Sequence, residues 1–208
     1  SGGAGGTTVY HSNYDSFRYY ERFVDPEFQM GATIEKFAGI MSLRLANATL
    51  IPYDLKRYPN DLKLHFDNAE EKVRKLKPDF KAFKKTRQAI DDLSKAAETA
   101  TKSLSYRVRD TRLSSVEIQF INRQLIALEK SFIDQKGMYY GDWFKSIYAS
   151  SDPFSGYASW ILPGIEYELA IKSTKKLKEW DNRYAKAIAD LAQKMSKISK
   201  TNKMSTKF

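Results

Sequence analysis

Seven apolar residues recur at intervals of three and four near the end of the chain: Leu177, Trp180, Tyr184, Ile188, Leu191, Met195 and Ile198. A helix turns once in about 3.6 residues, so this rhythm places all seven on one stripe of a single long helix. A stripe sustained over so many turns demands partner helices along its whole length. The spacing therefore predicts a helical bundle, with this helix beginning near Pro163-Gly164 and running to the C-terminal region.

Weaker copies of the pattern supply the partners. After the break at Asp25-Pro26, Ile34, Phe37, Met41 and Leu45 share a helical face that ends before Ile51-Pro52, because a residue preceding proline disfavours the helical region. Phe66, Ala69, Val73 and Leu76 form a second stripe, stopped at Pro78. A third runs from about Asp79 through Phe83, Ile90, Leu93 and Ala97 towards Leu104. Ser114-x-x-Glu117 has capping-box spacing and opens a fourth, with Val116, Phe120, Leu125, Leu128 and Phe132 on one side. Residues 52–61, with two prolines, and 134–164, with four glycines and two prolines, read as loops. No stretch alternates convincingly as a strand, and there is no internal repeat. A loop as long as 134–164 in a compact domain points to function, and its aromatic residues suit a pocket wall or an interface.

Composition narrows the chemistry. The 208 residues include no cysteine and two histidines, which excludes disulfide scaffolds, thiolate zinc sites and a metal site built from histidines alone. No window approaches the roughly 18 apolar residues that span a bilayer. The formal charge of +10 is concentrated: residues 171–208 hold 11 Lys and Arg against three acids, a net +8. A basic helical module that binds anionic surfaces is one reading of that segment. Lysines dominate there and no aromatics interleave as a base-stacking platform, so a solvated helix face is expected and nucleic acid is not an expected partner. The glycine-rich start, residues 1–8, reads as linker, and the chain as a piece of something longer.

The site-like cluster is Tyr10-His11-Ser12-Asn13-Tyr14-Asp15. A catalytic zinc takes about three protein ligands and an open position, and one histidine with Asp15 falls short of that. By spacing alone His11 is an ordinary hydrogen-bonded histidine, and His65, in a polar run, is structural or exposed. Asn47-Ala48-Thr49 fits a glycosylation sequon, but it sits at a helix end among apolar neighbours and is expected to be unmodified.

The same residues gain meaning from their order. Val9-Tyr10-His11-Ser12-Asn13-Tyr14-Asp15-Ser16 and Phe23-x-Asp25-Pro26-x-Phe28 resemble the end of the protease domain in the glutamate carboxypeptidase II and transferrin receptor family. Leu45-Ala46-Asn47, Leu50-Ile51-Pro52-Tyr53-Asp54, Gln124-Leu125-x-x-Leu128-Glu129-x-x-Phe132-Ile133-Asp134, Trp143-Phe144-Lys145 with Ile147-Tyr148-Ala149, and Pro163-Gly164-Ile165 resemble later parts of the same family pattern.

The resemblance implies an all-α, four-helix-bundle-like dimerisation domain over 49–208, preceded by the C-terminal segment, 9–48, of an α/β zinc-peptidase domain. It implies a two-zinc site whose last ligand is His11, with the other ligands upstream, so that the fragment alone is inactive. Two zincs would activate a bridging water in the intact parent. Tyr10 would contact the tetrahedral reaction centre, and Tyr157 would help bind the terminal carboxylate of a peptide substrate. The family's glutamate-preferring members carry a lysine where this chain has Gly156, and the loop here is one residue longer, so specificity for a C-terminal glutamate is in doubt. The domain is expected to form a homodimer, in the extracellular or lumenal part of a single-pass membrane protein. The alternative is a receptor- or adaptor-like member of the family whose metal site has decayed.

Overall fold

The computed structural model describes residues 9–110 and 113–200; the glycine-rich start and the last lysines, Lys203 and Lys207, lie outside them. The chain divides into two compact units at Pro52/Tyr53. Each is built differently.

The first unit holds a helical turn, α1 (Phe17–Tyr19), that runs into a π-helical turn, Tyr20–Val24, and then α2 (Gln29–Ala46). The start of α2 is set by Asp25. Its carboxylate accepts the amides of Gln29, Met30 and Gly31 and the Tyr20 hydroxyl. Burial pushes the Asp25 carboxyl up, but the Gly31 amide, the Tyr20 hydroxyl and the other two amides outweigh it and hold it below the usual carboxylate range. Three otherwise orphaned amides of a helix end are thus met by one side chain. No residue of α2 is buried within the chain, and Ile34, Phe37, Met41 and Leu45 all face outwards.

The second unit holds α3 (Arg57–Leu76), α4 (Lys84–Asp110), α5 (Ser115–Ala127), a 3₁₀ turn Glu129–Phe132, α6 (Pro163–Ala170) and α7 (Leu177–Lys200). It is an all-α bundle. The central pair is α4 and α7, α3 packs on α4, α5 packs on α7, and α6 touches both α3 and α7. All seven residues of the α7 stripe are buried. Leu62, Phe66 and Val73 of α3 and Ile90, Leu93 and Ala97 of α4 are buried as well. Phe66 stands edge-on to Phe83 and Tyr184 at centroid distances of 5.7 and 5.3 Å. Gly164, in the first turn of α6, lies so close to Trp180 that a Cβ there would come within 2.4 Å of the indole.

Long-range capping fixes the helix starts. Asp181, the fifth residue of α7, accepts the Lys85 and Thr86 amides at the start of α4, at 3.3 and 2.9 Å. The two N-termini therefore lie together and α4 and α7 run parallel. Glu70 of α3, itself buried, accepts the Phe83 amide at 3.0 Å and pairs with Arg87 at 2.8 Å.

Four expectations from the sequence change. The α3 helix starts at Arg57, inside the segment read as a loop, because Pro59 occupies its first turn, where a missing N–H costs nothing. On α5 the buried line is Ile121, Leu125 and Leu128, while Val116 is largely exposed and Phe120 half-buried. The last helix is two helices. Residues 171–176 break it where Lys172 takes a positive φ of 53° and the buried Glu168 carboxylate accepts the Ser173 hydroxyl and the Lys176 amide. The loop 134–164 contains an antiparallel hairpin of β1 (Ala149–Ser151) and β2 (Ser159–Ile161), with Ala149 opposite Ile161. Three-residue strands are too short to show a period of two.

Candidate functional site

In the first unit, Tyr10 and His11 sit on a turn closed by the Ser12 amide and hydroxyl, both donating to the Val9 carbonyl at 3.0 and 2.6 Å. His11 takes a positive φ of 61°, a conformation that costs a non-glycine residue free energy and that clusters at functional positions. The Tyr10 and His11 rings stack with centroids 3.8 Å apart, and both are exposed. Among the described residues no three His, Asp or Glu side chains gather as a metal site. His11 has the right donor for zinc and an exposed ring, so it fits as one ligand, and the chain's described residues do not by themselves make a complete site.

In the second unit, Tyr157 lies at the tip of the β1–β2 hairpin and is 79% exposed, next to Phe154 at 67%. The tip is a self-contained knot. The Asp152 carboxylate accepts the Phe154 and Ser155 amides and the Ser155 hydroxyl, and the Asp152 carbonyl accepts the Gly156 amide at 2.8 Å. The Ser155 hydroxyl first, then the Phe154 amide, hold the Asp152 carboxyl below its usual range. Gly156 has φ +70°, the left-handed region that favours glycine, so the turn itself demands the residue that stands in the lysine's place. Open space surrounds its missing Cβ.

Below the tip an aromatic cluster anchors the hairpin. The Tyr140 ring lies 5.1 Å from Phe144, 5.2 Å from Tyr167 and 6.2 Å from Trp160, and its hydroxyl is hydrogen-bonded to Ser150. Burial pushes the Tyr140 phenol up. The root of the loop is clamped by Arg183, which donates to Asp134 at 2.7 Å and to the Gly137 carbonyl at 2.5 Å and stacks over Trp180. His65 is half-buried, with Nε2 3.3 Å from the Tyr148 hydroxyl. Asn47 is exposed at the end of α2, and its side chain caps the Leu43 carbonyl at 2.9 Å.

Tyr10 and His11 are neighbours in the first unit, and Tyr157 belongs to the second. Spacing did not single out Arg183, Tyr140 or Asp152. Only Asp152 carries a local signal, the Asp-Pro-x-Ser-Gly string of a tight turn.

The family model of the transferrin receptor-like dimerisation domain matches residues 64–196. The chain is 29% identical over 180 residues to probable glutamate carboxypeptidase LAMP1 of Arabidopsis thaliana, a match covering 85% of this chain and 25% of that protein. A probable glutamate carboxypeptidase of Arthroderma benhamiae is 24% identical over 201 residues, covering 90% of this chain and 26% of the relative. Aminopeptidase NAALADL1 of Rattus norvegicus is 24% identical over 128 residues, covering 62% and 17%. The chain thus spans about a quarter of the length of the first two relatives. The chain belongs to the transferrin receptor-like dimerisation domain family.

Proposed function

We propose that the chain is the C-terminal region of a zinc-dependent, glutamate carboxypeptidase-like metallopeptidase. Residues 49–208 serve as its homodimerisation domain and residues 9–48 as the tail of its catalytic domain. The observation that carries this reading is the uncovered apolar length of α2: a helix that exposes Phe37, Leu43 and Leu45 is part of a larger core. The match to LAMP1 covers 85% of this chain but only 25% of that relative.

In the intact parent His11 would offer an imidazole nitrogen to zinc, which when bound would supply Lewis-acid activation of water. The Tyr10 phenol donates a hydrogen bond to the oxygen that gains charge as the scissile carbonyl becomes tetrahedral. Tyr157, presented on a rigid tip, positions the terminal carboxylate of the peptide substrate. On this reading the region lies outside the cytosol, on a single-pass membrane protein, as the family resemblance implies.

Two measurements test the reading. The full-length parent should contain stoichiometric zinc and cleave peptides, and His11→Ala should lower kcat/KM by at least about 100-fold with loss of metal. A full-length protein with neither zinc nor activity would instead establish the receptor- or adaptor-like alternative. The 208-residue chain should run as a dimer in light scattering at micromolar concentration, and a monomer there would refute autonomous dimerisation.

A further inference from the structure

An open cleft of about 360 Å³ belongs to the second unit, between α3, β2 and the first turn of α6. We infer that it is a binding site for a free α-amino acid in its zwitterionic form. The size is at the low end of the range for small-molecule pockets. Its α3 wall is a single helical stripe, His65, Asn68 and Lys72, spaced at three and four, with Ala69 as its floor. Ser159 and Trp160 of β2 face it, and Glu166 of α6 closes it.

The charge arrangement selects the ligand. Lys72 of α3 and Glu166 of α6, both lining the cleft, form an ion pair of 2.6 Å. A ligand with one net charge would engage one partner and strand the other, a costly outcome for the half-buried Glu166. A ligand carrying both charges can offer its carboxylate to Lys72 and its ammonium to Glu166, replacing one ion pair with two. Asn68 and Ser159 add neutral hydrogen-bonding groups, and Trp160 with Ile161 supplies an apolar wall for a side chain. Trp160 is held edge-on by Tyr140 and Phe154, so that wall is fixed in place. The preferred ligand is therefore an apolar or aromatic amino acid. The site lies within the second unit and needs neither zinc nor the catalytic domain.

The 208-residue chain tests this directly by NMR titration with L-phenylalanine, N-acetyl-L-phenylalanine and L-phenylalaninamide. L-phenylalanine should bind saturably with a Kd of order 1 mM, shifting Ala69, Ser159 and the Trp160 indole. Both blocked forms should bind at least about 10-fold more weakly, as should the variants Lys72→Met and Glu166→Gln. Lys72 is exposed and Glu166 half-buried, and thermal melts confirm that each variant is folded. The exchange Lys72→Glu with Glu166→Lys should restore binding. No shift at these residues up to about 10 mM, or equal binding of the blocked forms, overturns the proposal. Because the assay uses no peptide cleavage, its outcome is independent of the parent's activity.

Discussion

The two units of this chain are both helical, yet only one of them carries its own reason to fold. In α7 every residue of the apolar stripe is covered, and Trp180, Tyr184 and Ile188 are fully buried. In α2 an apolar stripe of similar spacing has no buried member, and Phe37 is 65% exposed. Periodicity tells which face of a helix seeks a partner, but the partner's presence decides stability, since most helical stability in proteins comes from packing. The lesson is that a sequence stripe is an unmet requirement until the structure shows what meets it.

The sharpest way to break this contrast is a matched pair of truncations. Trp180→Ala should cost about 3–5 kcal/mol in urea unfolding, whereas Phe37→Ala should change stability by less than about 0.5 kcal/mol. A large effect of Phe37 in the isolated chain would mean that α2 is already packed. Next in size is Gly164→Ala, whose added methyl must displace the Trp180 ring; a loss of about 1–3 kcal/mol or more is expected by the same measurement. Hydrogen exchange refines the comparison. Amides of α7 should exchange only through global unfolding, and those of α2 through local opening many times faster.

The smallest effect is in pH. Burial raises the Asp134 carboxyl, but the Lys136 amide and the Arg183 guanidinium together hold it below its usual range. A carboxyl depressed in the folded state stabilises above its unfolded value of about 3.9, and the contribution disappears as pH falls through the lower folded value. Thermal stability should therefore decline below about pH 4, and Asp134→Asn should flatten that decline. An unchanged profile would show that the clamp on the loop root contributes nothing to stability.

Most of the bundle was legible because its signals are local. The α7 stripe, the Ser114/Glu117 capping box and the stop at Pro78 each lie within one turn of what they determine, and the structure contains both halves of the capping box. What escaped the sequence is non-local. The start of α4 is set by Asp181, about 95 residues away, and by Glu70 of the preceding helix, so no residue adjacent to Lys84 announces it. The break between α6 and α7 depends on Glu168 reaching five and eight residues ahead to Ser173 and Lys176. Among site residues, Tyr10, His11 and Tyr157 came from a resemblance of ordered motifs rather than from spacing. Arg183 lay hidden in a lysine-rich helix, where nothing distinguishes a clamp from a solvated cation.

The knot at the hairpin tip has a consequence for how such a domain can diversify. Its shape is specified by Asp152, Ser155 and Gly156 through contacts inside six residues, and Phe154 leans on Trp160 and Tyr167, while Tyr157 is 79% exposed. Changes at position 157 can therefore alter what the tip touches without disturbing how it is held. The loop separates the part that must be kept from the part that is free to change, which lets lineages explore new ligands without endangering the fold.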